Sequence, residues 1–290
     1  MEYKKAGSDH PMKYHRDHQK ISLAGMGSTQ FWNNDREKTR ECMRIAVERY
    51  GVTLIDTAEM YAHGECEKSV ARALKGINRD SYFLTGKVLP ENADHEKMEE
   101  SLKRSLLNLN TDHFDLYLLH WRENVNLQEF IDEAERFVRQ GLIKHWGVSN
   151  FDTDDMKDLL KCEKGENCFC DQILYNVVTR GPEYDLFPYL HEHKIMAMAY
   201  GSTDHRRAGK DLLRNDETIK EICEKTGLSV PALMLRFVSR HDDIPALFST
   251  GDPVHLEENL VCFDSDIDDY MDLIEKRFPA PDHKVPMEKY

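Results

Sequence analysis

The sequence has no long hydrophobic run and no excess of positive charge. No stretch approaches the ~18 consecutive apolar residues of a membrane-spanning helix, and the opening residues MEYKKAGSDH lack the apolar segment of a signal peptide. With 39 Lys and Arg against 53 Asp and Glu, the formal net charge is −14. Nucleic acids and anionic membranes attract basic proteins, so neither is expected as a partner. The composition therefore predicts a soluble, cytoplasmic protein that acts on small molecules.

Patterns typical of disulfide frameworks and metal sites are also missing. The chain has seven cysteines, an odd number, and no secretion signal is apparent. A disulfide framework is therefore not expected. The one cysteine cluster, at Cys162, Cys168 and Cys170, lacks the CxxC spacing typical of zinc sites. The histidines within residues 1–20 have no Cys or carboxylate at a matching spacing. We predict no metal site, and any role of the cysteine cluster stays open.

Short aliphatic or β-branched segments alternate with amphipathic helical segments along most of the chain. The segments that resemble strands are 21–28, 52–58, 82–88, 114–121, 143–149, 171–176, 195–200 and 244–249. Most successive ones lie about 25 to 30 residues apart, the length of a βα unit. Between them, EFIDEAERFVRQG places Phe130, Ala134 and Phe137 on one helical face, with Gly141 as a stop. Eight such units predict an α/β fold, a closed parallel (β/α)8 TIM barrel, with a doubly wound open sheet as the alternative.

The length of 290 residues fits one such barrel. We therefore predict a single domain over 1–290, in which residues 1–20 form an N-terminal extension or hairpin before the first strand. The segment 201–213 is predicted to be a functional loop after the seventh strand. Residues 264–290 are predicted to form a C-terminal helix and tail.

The active site of a barrel lies at the C-terminal ends of its strands. Unusual polar and aromatic residues stand at these predicted ends: Asp56, Tyr61, Lys87, His120, Trp121, Ser149, Asn150, Gln172 and Tyr200. Taken singly, each is more often an ordinary surface residue than a functional one. A buried Asp beside a buried Lys is costly unless the two are paired, so joint occurrence carries more weight. We expect the first four, from three adjacent strands, to meet at one point.

Six stretches in order resemble the aldo-keto reductase family: LIDTAEMYAHGECE, LTGKV, DLYLLHW, KHWGVSNF, DQILYN and MAMAYGS. A seventh, HLEENL, resembles the cofactor signature of that family, and the resemblance runs from about Gly25 to Leu260. It implies a TIM barrel that reduces an aldehyde, ketone or sugar by hydride transfer from a nicotinamide cofactor. Direct hydride transfer needs no metal, which agrees with the missing metal motif.

The resemblance also implies a role for each residue at the predicted catalytic point. Tyr61 would be the general acid that protonates the carbonyl oxygen. Because a phenol near pKa 10 is a poor proton donor, Lys87 would lower that pKa by its charge, and Asp56 would hold Lys87 as an ion-pair partner. His120 would orient the substrate carbonyl, and Trp121 would form a wall of the pocket.

A cofactor site is implied at further strand ends. Ser149, Asn150 and Gln172 would hydrogen-bond the carboxamide, and Tyr200 would stack on the nicotinamide ring. The other cofactor contacts implied are Gly27, Ser28, Ser249, Thr250, His255, Glu258 and Asn259. Of these, the last two would contact adenine.

The loop after the eighth strand, FSTGDPVHLEEN, departs from the family pattern. Ser249 stands where many members have Lys, and His255 where an Arg often binds the adenosine 2′-phosphate. A neutral His lacks the permanent charge and the bidentate geometry of Arg. The resemblance therefore favours NADP(H), whereas these two replacements leave NAD(H) open.

Basic residues after the seventh strand offer a replacement for the missing cations. They are Arg206, Arg207 and Lys210. We expect this cluster to bind the cofactor, with a solvated charge run as an equally weighted alternative. A third option is that the cluster acts with Arg122, at the predicted substrate pocket, on an anionic substrate.

A second function remains open at the level of sequence. Potassium-channel β subunits share this scaffold, and there cofactor binding serves regulation or partner binding. The four intact catalytic residue types favour a carbonyl reductase, although such subunits retain them too. The physiological substrate and the oligomeric state do not follow from the sequence.

Overall fold

Eight parallel strands close into a barrel in the computed structural model of this chain, which describes residues 21–31, 36–204, 206–240 and 243–289. Each strand pairs with the next, and the eighth pairs with the first. The strands are β1 (Ala24–Gly27), β2 (Leu54–Asp56), β3 (Phe83–Val88), β4 (Phe114–Leu119), β5 (Ile143–Ser149), β6 (Cys170–Leu174), β7 (Met196–Tyr200) and β8 (Ala246–Phe248). Each overlaps its predicted segment, so the predicted closed barrel is confirmed and the open-sheet alternative is wrong.

Helices surround the barrel in the described part of the chain. They are α1 (Arg36–Tyr50), α2 (Glu65–Ala73), α3 (Met98–Leu109), α4 (Leu127–Gln140), α5 (Thr153–Lys161), α6 (Leu186–Glu192), α7 (Arg207–Asn215), α8 (Glu217–Thr226), α9 (Val230–Val238), α10 (Pro253–Val261) and α11 (Asp268–Arg277). In α4, the predicted face of Phe130, Ala134 and Phe137 is buried. Gly141 caps that helix at φ 73°, a left-handed backbone that glycine adopts without steric cost. The spacing of apolar residues therefore located both the face and the end of this helix.

The core has two layers because successive side chains of a strand point to opposite faces. In β4, Leu116 and Leu118 belong to the cluster inside the barrel, whereas Tyr117 and Leu119 pack outward under the helices. Every residue of β4 is buried, as expected for a strand covered on both faces. Polar side chains are therefore tolerated mainly at strand ends, where the candidate site lies.

The segment predicted as a loop over 201–213 is helical from Arg207 onward, so that prediction is wrong for most of its length. Glycine weakens helices, yet Gly209 lies inside α7. The structure shows why a glycine is needed inside α7: a Cβ at Gly209 would lie 1.9 Å from Oδ2 of the buried Asp204. Leu213 of α7 is buried, which anchors the helix on the barrel.

The C-terminal helix predicted within 264–290 is confirmed as α11, and a tail follows it. The tail crosses loops at the C-terminal ends of the strands. Lys284 Nζ lies 2.7 Å from Asp154 Oδ2 at the start of α5, and Glu288 contacts Arg206 after β7. The predicted N-terminal extension or hairpin of residues 1–20 lies outside the described residues.

All seven cysteines lie in the described residues and none of them is paired in a disulfide. Across 21–31, 36–204, 206–240 and 243–289, no group of three or more His, Cys, Asp or Glu side chains is arranged to hold a metal ion. In the same residues, no helix combines the length and the apolar character needed to cross a bilayer.

Candidate active site

Four predicted residues, Asp56, Tyr61, Lys87 and His120, meet at the C-terminal ends of β2, β3 and β4, and we call them the tetrad. Lys87 Nζ lies 2.6 and 2.8 Å from the two carboxylate oxygens of Asp56 and 3.2 Å from the Tyr61 hydroxyl. The rings of Tyr61 and His120 meet edge to face, with centroids 5.8 Å apart. The arrangement places a phenol, a cation and an imidazole around one point.

The Lys87–Asp56 ion pair is buried, with only 1% and 3% of the two residues exposed. Lys87 also donates to the backbone oxygen of Thr57 at 3.2 Å, and Gln172 Nε2 donates to Asp56 Oδ1 at 2.8 Å. These bonds offset the cost of removing two charges from water. Burial lowers the pKa of Lys87, but Asp56 and Tyr61 raise it by more, so its pKa lies above the usual value. Lys87 is therefore a permanent cation at physiological pH.

Tyr61 keeps its proton at neutral pH. Burial raises the pKa of Tyr61, the charge of Lys87 lowers it, and the net pKa lies above the ordinary value. Lys87 therefore lowers the pKa of Tyr61, the direction expected from the sequence, but burial outweighs this contribution. A protonated phenol next to a cation is able to donate its proton when negative charge develops nearby.

His120 is a neutral imidazole. Burial and the nearby charge of Lys87 lower the pKa of His120 to about 2. The ring stacks on Trp121 with centroids 3.9 Å apart, and its Nδ1 has no hydrogen-bond partner among the described residues. The backbone oxygen of His120 accepts a bond from Asn150 Nδ2 at 3.0 Å, which fixes the position of the residue. A neutral His beside Tyr61 is able to hydrogen-bond a carbonyl oxygen without competing for its proton.

Arg122, predicted at the substrate pocket, has other partners. Its Nη1 donates to the backbone oxygens of Glu123 at 3.1 Å and Val125 at 2.8 Å. Its Nε lies 3.7 Å from Asp155 Oδ1. The structure thus ties Arg122 to its own loop and to α5.

An unusual turn follows Tyr61. Ala62 and His63 both have left-handed backbones, at φ 50° and 53°, and Gly64 follows at φ 86°. Two consecutive non-glycine residues in this region carry a steric cost. Asn108 Nδ2 would lie 2.6 Å from a Cβ at Gly64, so a side chain there would meet α3. Sequence reasoning missed this turn, for which Gly64 was the only local signal.

The four residues predicted to hold the nicotinamide form one hydrogen-bonded network. Ser149 Oγ donates to the backbone oxygen of Gln172 at 2.7 Å, and Asn150 Nδ2 donates to Ser149 Oγ at 3.0 Å. The Tyr200 hydroxyl donates to Asn150 Oδ1 at 2.6 Å. Gln172 joins this network to the tetrad through Asp56. The network thus gives three strand ends, those of β5, β6 and β7, fixed positions beside the tetrad.

Gly27 and Ser28 lie at the end of β1, between β2 and β8. Ser28 Oγ donates to Thr57 Oγ1 at 2.9 Å, and its backbone N–H donates to the oxygen of Asp56 at 3.0 Å. A Cβ at Gly27 would meet only the oxygen of Phe248, at an ordinary 3.6 Å. Ser28 therefore fixes the backbone of β2 at Asp56.

The residues predicted for the adenosine end line a cavity of about 340 Å³ between β8, α10 and α7. They are Ser249, Thr250, His255, Glu258 and Asn259. Ser249 Oγ is buried and has no hydrogen-bond partner in the described part of the chain. The N-terminus of α10 is already capped, since Asp252 Oδ1 accepts from the backbone N–H of Val254 at 2.8 Å. The unpaired hydroxyl of Ser249 could donate a hydrogen bond to a phosphate group. Cations that would balance the phosphate charge must come from another element.

Two cations from α7, Lys210 and Arg214, line the same cavity. Lys210 was predicted from the sequence, but Arg214 was missed because its i, i+4 spacing from Lys210 has meaning only on a helix. Arg206 lies elsewhere: it bonds to Asp204, Thr179 and Glu288. Arg207 begins α7, and its side chain lies outside what the structure describes.

The chain is similar to known proteins over most of its length. The model of the Aldo/keto reductase family matches residues 21–273. Methylglyoxal reductase YeaE of Escherichia coli (strain K12) is 33% identical over 273 residues, which cover 92% of this chain and 95% of that protein. The NADPH-dependent alpha-keto amide reductase of Saccharomyces cerevisiae is 27% identical over 84% of this chain and 82% of its own length.

A solved structure also matches across nearly the whole chain. The aldo/keto reductase from Klebsiella pneumoniae in complex with NADP and acetate aligns with a TM-score of 0.87 at 33% identity. The alignment covers 93% of this chain and 96% of that one. The similarity therefore extends over nearly the whole of both chains.

Proposed function

The chain belongs to the aldo-keto reductase family and reduces a carbonyl group to an alcohol with a nicotinamide cofactor, and on that premise we propose that the tetrad is its catalytic site. The observation that carries this proposal is the contact of 3.2 Å between the Tyr61 hydroxyl and Lys87 Nζ, beside a neutral His120. We propose small 2-oxoaldehydes as the substrate class, because the Escherichia coli relative is a methylglyoxal reductase. A cytoplasmic location stays a prediction.

In the proposed mechanism each tetrad residue has one task. The nicotinamide, when bound, supplies the hydride for the carbonyl carbon. The neutral imidazole of His120 donates an N–H to the carbonyl oxygen and so directs it toward Tyr61. Tyr61 gives its proton to that oxygen as negative charge develops there, which completes the alcohol. Lys87 stabilises the phenolate that remains, and Asp56 keeps Lys87 in position.

The nicotinamide network fits this mechanism. Ser149, Asn150 and Gln172 place amide and hydroxyl groups beside the tetrad, and Tyr200 offers a ring at the end of β7. Asn150 is held with φ 62°, and its amide bonds to both His120 and Ser149. We propose that these four residues hold the carboxamide face of the cofactor so that it faces Tyr61.

NADPH oxidation tests the function. We expect wild-type protein to oxidise NADPH with methylglyoxal or a related aldehyde, and Tyr61→Phe to lower kcat by about 10²- to 10⁴-fold, the usual contribution of a general acid. The affinity for NADPH, measured by quenching of protein fluorescence, is expected to stay unchanged in the variant. Cofactor binding without turnover of any carbonyl by the wild-type protein would instead favour the regulatory alternative.

We further propose NADP(H) as the preferred cofactor, with Lys210 and Arg214 as the cations that face the 2′-phosphate. The support is the cavity that they share with Ser249, whose hydroxyl is buried without a partner among the described residues. Charge-assisted hydrogen bonds to phosphate are strong, so two cations from α7 are able to replace the Lys and Arg missing from the loop after β8. The Klebsiella pneumoniae structure with NADP is in line with this preference.

The double variant Lys210→Ala/Arg214→Ala tests this choice of cofactor. We expect its Kd for NADPH to rise roughly 10- to 100-fold while the Kd for NADH stays unchanged, because only NADPH carries the 2′-phosphate. Arg206→Ala is the matched control, since its guanidinium is bound to Asp204 and Glu288. An equal loss for both cofactors, or a loss in the control as large as in the double variant, contradicts the proposal.

A further inference from the structure

Glu59 is a buried acidic residue between Asp56 and Tyr61 that the proposed mechanism does not use. Only 7% of it is exposed. Its Oε1 accepts the backbone N–H of Leu89 at 2.8 Å and Nδ2 of Asn92 at 3.0 Å. Its Oε2 accepts Ser101 Oγ and, at 2.5 Å, Arg104 Nη2. Both carboxylate oxygens therefore have two donors each, and the four donors come from the segment directly after β3 and from α3.

The backbone of Glu59 continues the pairing of β2 with β3 beyond the last residue of β2. The N–H of Thr57 donates to the oxygen of Thr85 at 3.0 Å, and the N–H of Glu59 donates to the oxygen of Lys87 at 3.3 Å. The carboxylate of the same residue then bonds to the N–H of Leu89. Glu59 thus bonds to the backbone at Lys87 and again two residues later, at Leu89.

Tyr61 depends on the same segment for its position. Its backbone N–H donates to the oxygen of Ala58 at 3.1 Å, and the left-handed turn of Ala62 and His63 follows directly. A turn with a steric cost persists only where the surrounding structure holds it in place. Glu59, two residues before Tyr61, attaches this segment to the end of β3, to the residues after it and to α3.

We propose that Glu59 is a positioning residue that keeps the Tyr61 hydroxyl and Lys87 Nζ in contact. The inference rests on the proposed function, in which that contact is catalytic. Reacting groups must be held closely, and a displacement of about 1 Å costs roughly 100-fold in rate. Because both carboxylate oxygens of Glu59 are bonded to protein donors, it acts only by joining the end of β3 to the segment that carries Tyr61.

Asp115, on β4, provides a matched control because it contacts the opposite end of β3. It is also a buried carboxylate, and its Oδ2 accepts a backbone N–H from β3, that of Leu84, at 2.8 Å. It pairs with Arg79 and Lys144, each at 2.7 Å. Asp115 therefore has the same kind of contacts as Glu59, but at the N-terminal half of β3, away from the tetrad.

The experiment compares Glu59→Ala, Glu59→Gln and Asp115→Ala in the full-length protein. We expect Glu59→Ala to lower kcat about 10- to 100-fold with little change in the Kd for NADPH. Reduction needs protonated Tyr61, and Lys87 lowers the pKa of Tyr61, so weakening their contact shifts the alkaline limb of the kcat profile to higher pH. Glu59→Gln keeps an acceptor for Leu89 and Asn92 and is expected to recover most of kcat. Asp115→Ala is expected to lower Tm with kcat within about two-fold of wild type.

Several results would overturn the proposal. One is a Glu59→Ala protein with wild-type kcat and pH profile, and another is an equal loss of kcat in Asp115→Ala. If Glu59→Ala does not fold, Asn92→Ala and Ser101→Ala each remove one partner, and unchanged pH profiles in both would refute a positioning role.

A separate readout distinguishes failure of this inference from failure of the proposed function. Titration of tyrosinate absorbance in wild type minus Tyr61→Phe reports the pKa of Tyr61 without turnover. If the wild-type protein reduces no carbonyl, the proposed function fails, yet a raised Tyr61 pKa in Glu59→Ala still supports positioning. An unchanged Tyr61 pKa in a folded Glu59→Ala protein refutes it.

Discussion

The two ends of the proposed cofactor site differ in how their charged groups are held. At the catalytic end, Lys87, Asp56 and Gln172 are buried and bonded to one another. At the adenosine end, Ser249 Oγ has no partner among the described residues, and it faces a cavity that cations of another element line. Proton transfer requires groups that are oriented before the substrate arrives. Binding a phosphate requires only that charge and donors lie within reach.

This difference sets the size of the effects expected at each end. Charges at the catalytic end interact in a medium of low polarity, where losing one partner leaves the other buried without compensation. His255, at the adenosine end, is exposed to solvent, which weakens its interactions. Substitutions are therefore expected to have larger effects at the catalytic end.

The largest effect is expected for Lys87→Met. Removing the cation leaves Asp56 buried without its charged partner, which is expected to cost roughly 3–5 kcal/mol of the free energy of unfolding. The phenolate of Tyr61 loses its stabilising charge, so we expect kcat for carbonyl reduction to fall about 10³-fold. Chemical denaturation and NADPH oxidation measure the two effects.

The pH dependence of the same variant follows from the direction of the pKa shift. Lys87 lowers the pKa of Tyr61, so its removal raises that pKa further. Reduction requires protonated Tyr61 and is lost as pH rises through this pKa. Any residual activity of Lys87→Met is therefore expected to persist to higher pH than in wild type. An alkaline limb at lower pH would contradict the role assigned to Lys87.

The catalytic end was also the end that sequence reasoning described better. Asp56, Lys87 and His120 lie at the ends of strands whose buried apolar runs are clear in the sequence, so the order of the strands brings them together. Glu59 was missed because an acidic residue just after a strand resembles a surface residue. Only the fold of the loop after β3 shows that backbone N–H groups and α3 surround it.

The adenosine end was harder to predict because its cations depend on a helix that the sequence concealed. Gly209 lies inside this helix, where the lack of a side chain lets α7 approach Asp204. Lys210 and Arg214 share a face only when the segment is helical, so their spacing has no meaning in a predicted loop. The predicted residues after β8 do line one cavity. Helix α7, which faces them across that cavity, was not predictable from residue spacing alone.

A moderate effect is expected for His255→Arg, which adds charge at the adenosine end. Arg supplies a permanent charge and two parallel donors, so we expect the Kd for NADPH to fall about 5- to 10-fold, with little change for NADH. Because His255 is exposed, solvent limits the gain. Isothermal titration with both cofactors measures it.

Val254→Arg is the matched control for His255→Arg. Val254 is exposed on α10 but does not line the cavity. An Arg at this position therefore adds the same charge one residue away from His255. If Val254→Arg improves NADPH binding as much as His255→Arg does, the gain reflects general attraction and not a contact with the phosphate. A gain for NADH equal to that for NADPH would lead to the same conclusion.

The smallest effect is expected for Ala62→Gly, at the turn after Tyr61. Ala62 has φ 50°, where glycine avoids the steric cost of a Cβ, so we expect the free energy of unfolding to rise by about 1 kcal/mol. Ala71→Gly, inside α2, is the same substitution in a right-handed helix and is expected to lower stability by about 0.5–1 kcal/mol. Urea denaturation measures both.

If Lys87 and Glu59 hold Tyr61, kcat of Ala62→Gly stays within about two-fold of wild type, since the turn is then a consequence of the catalytic arrangement. A larger loss of kcat with increased stability would show instead that the left-handed turn itself sets the position of Tyr61.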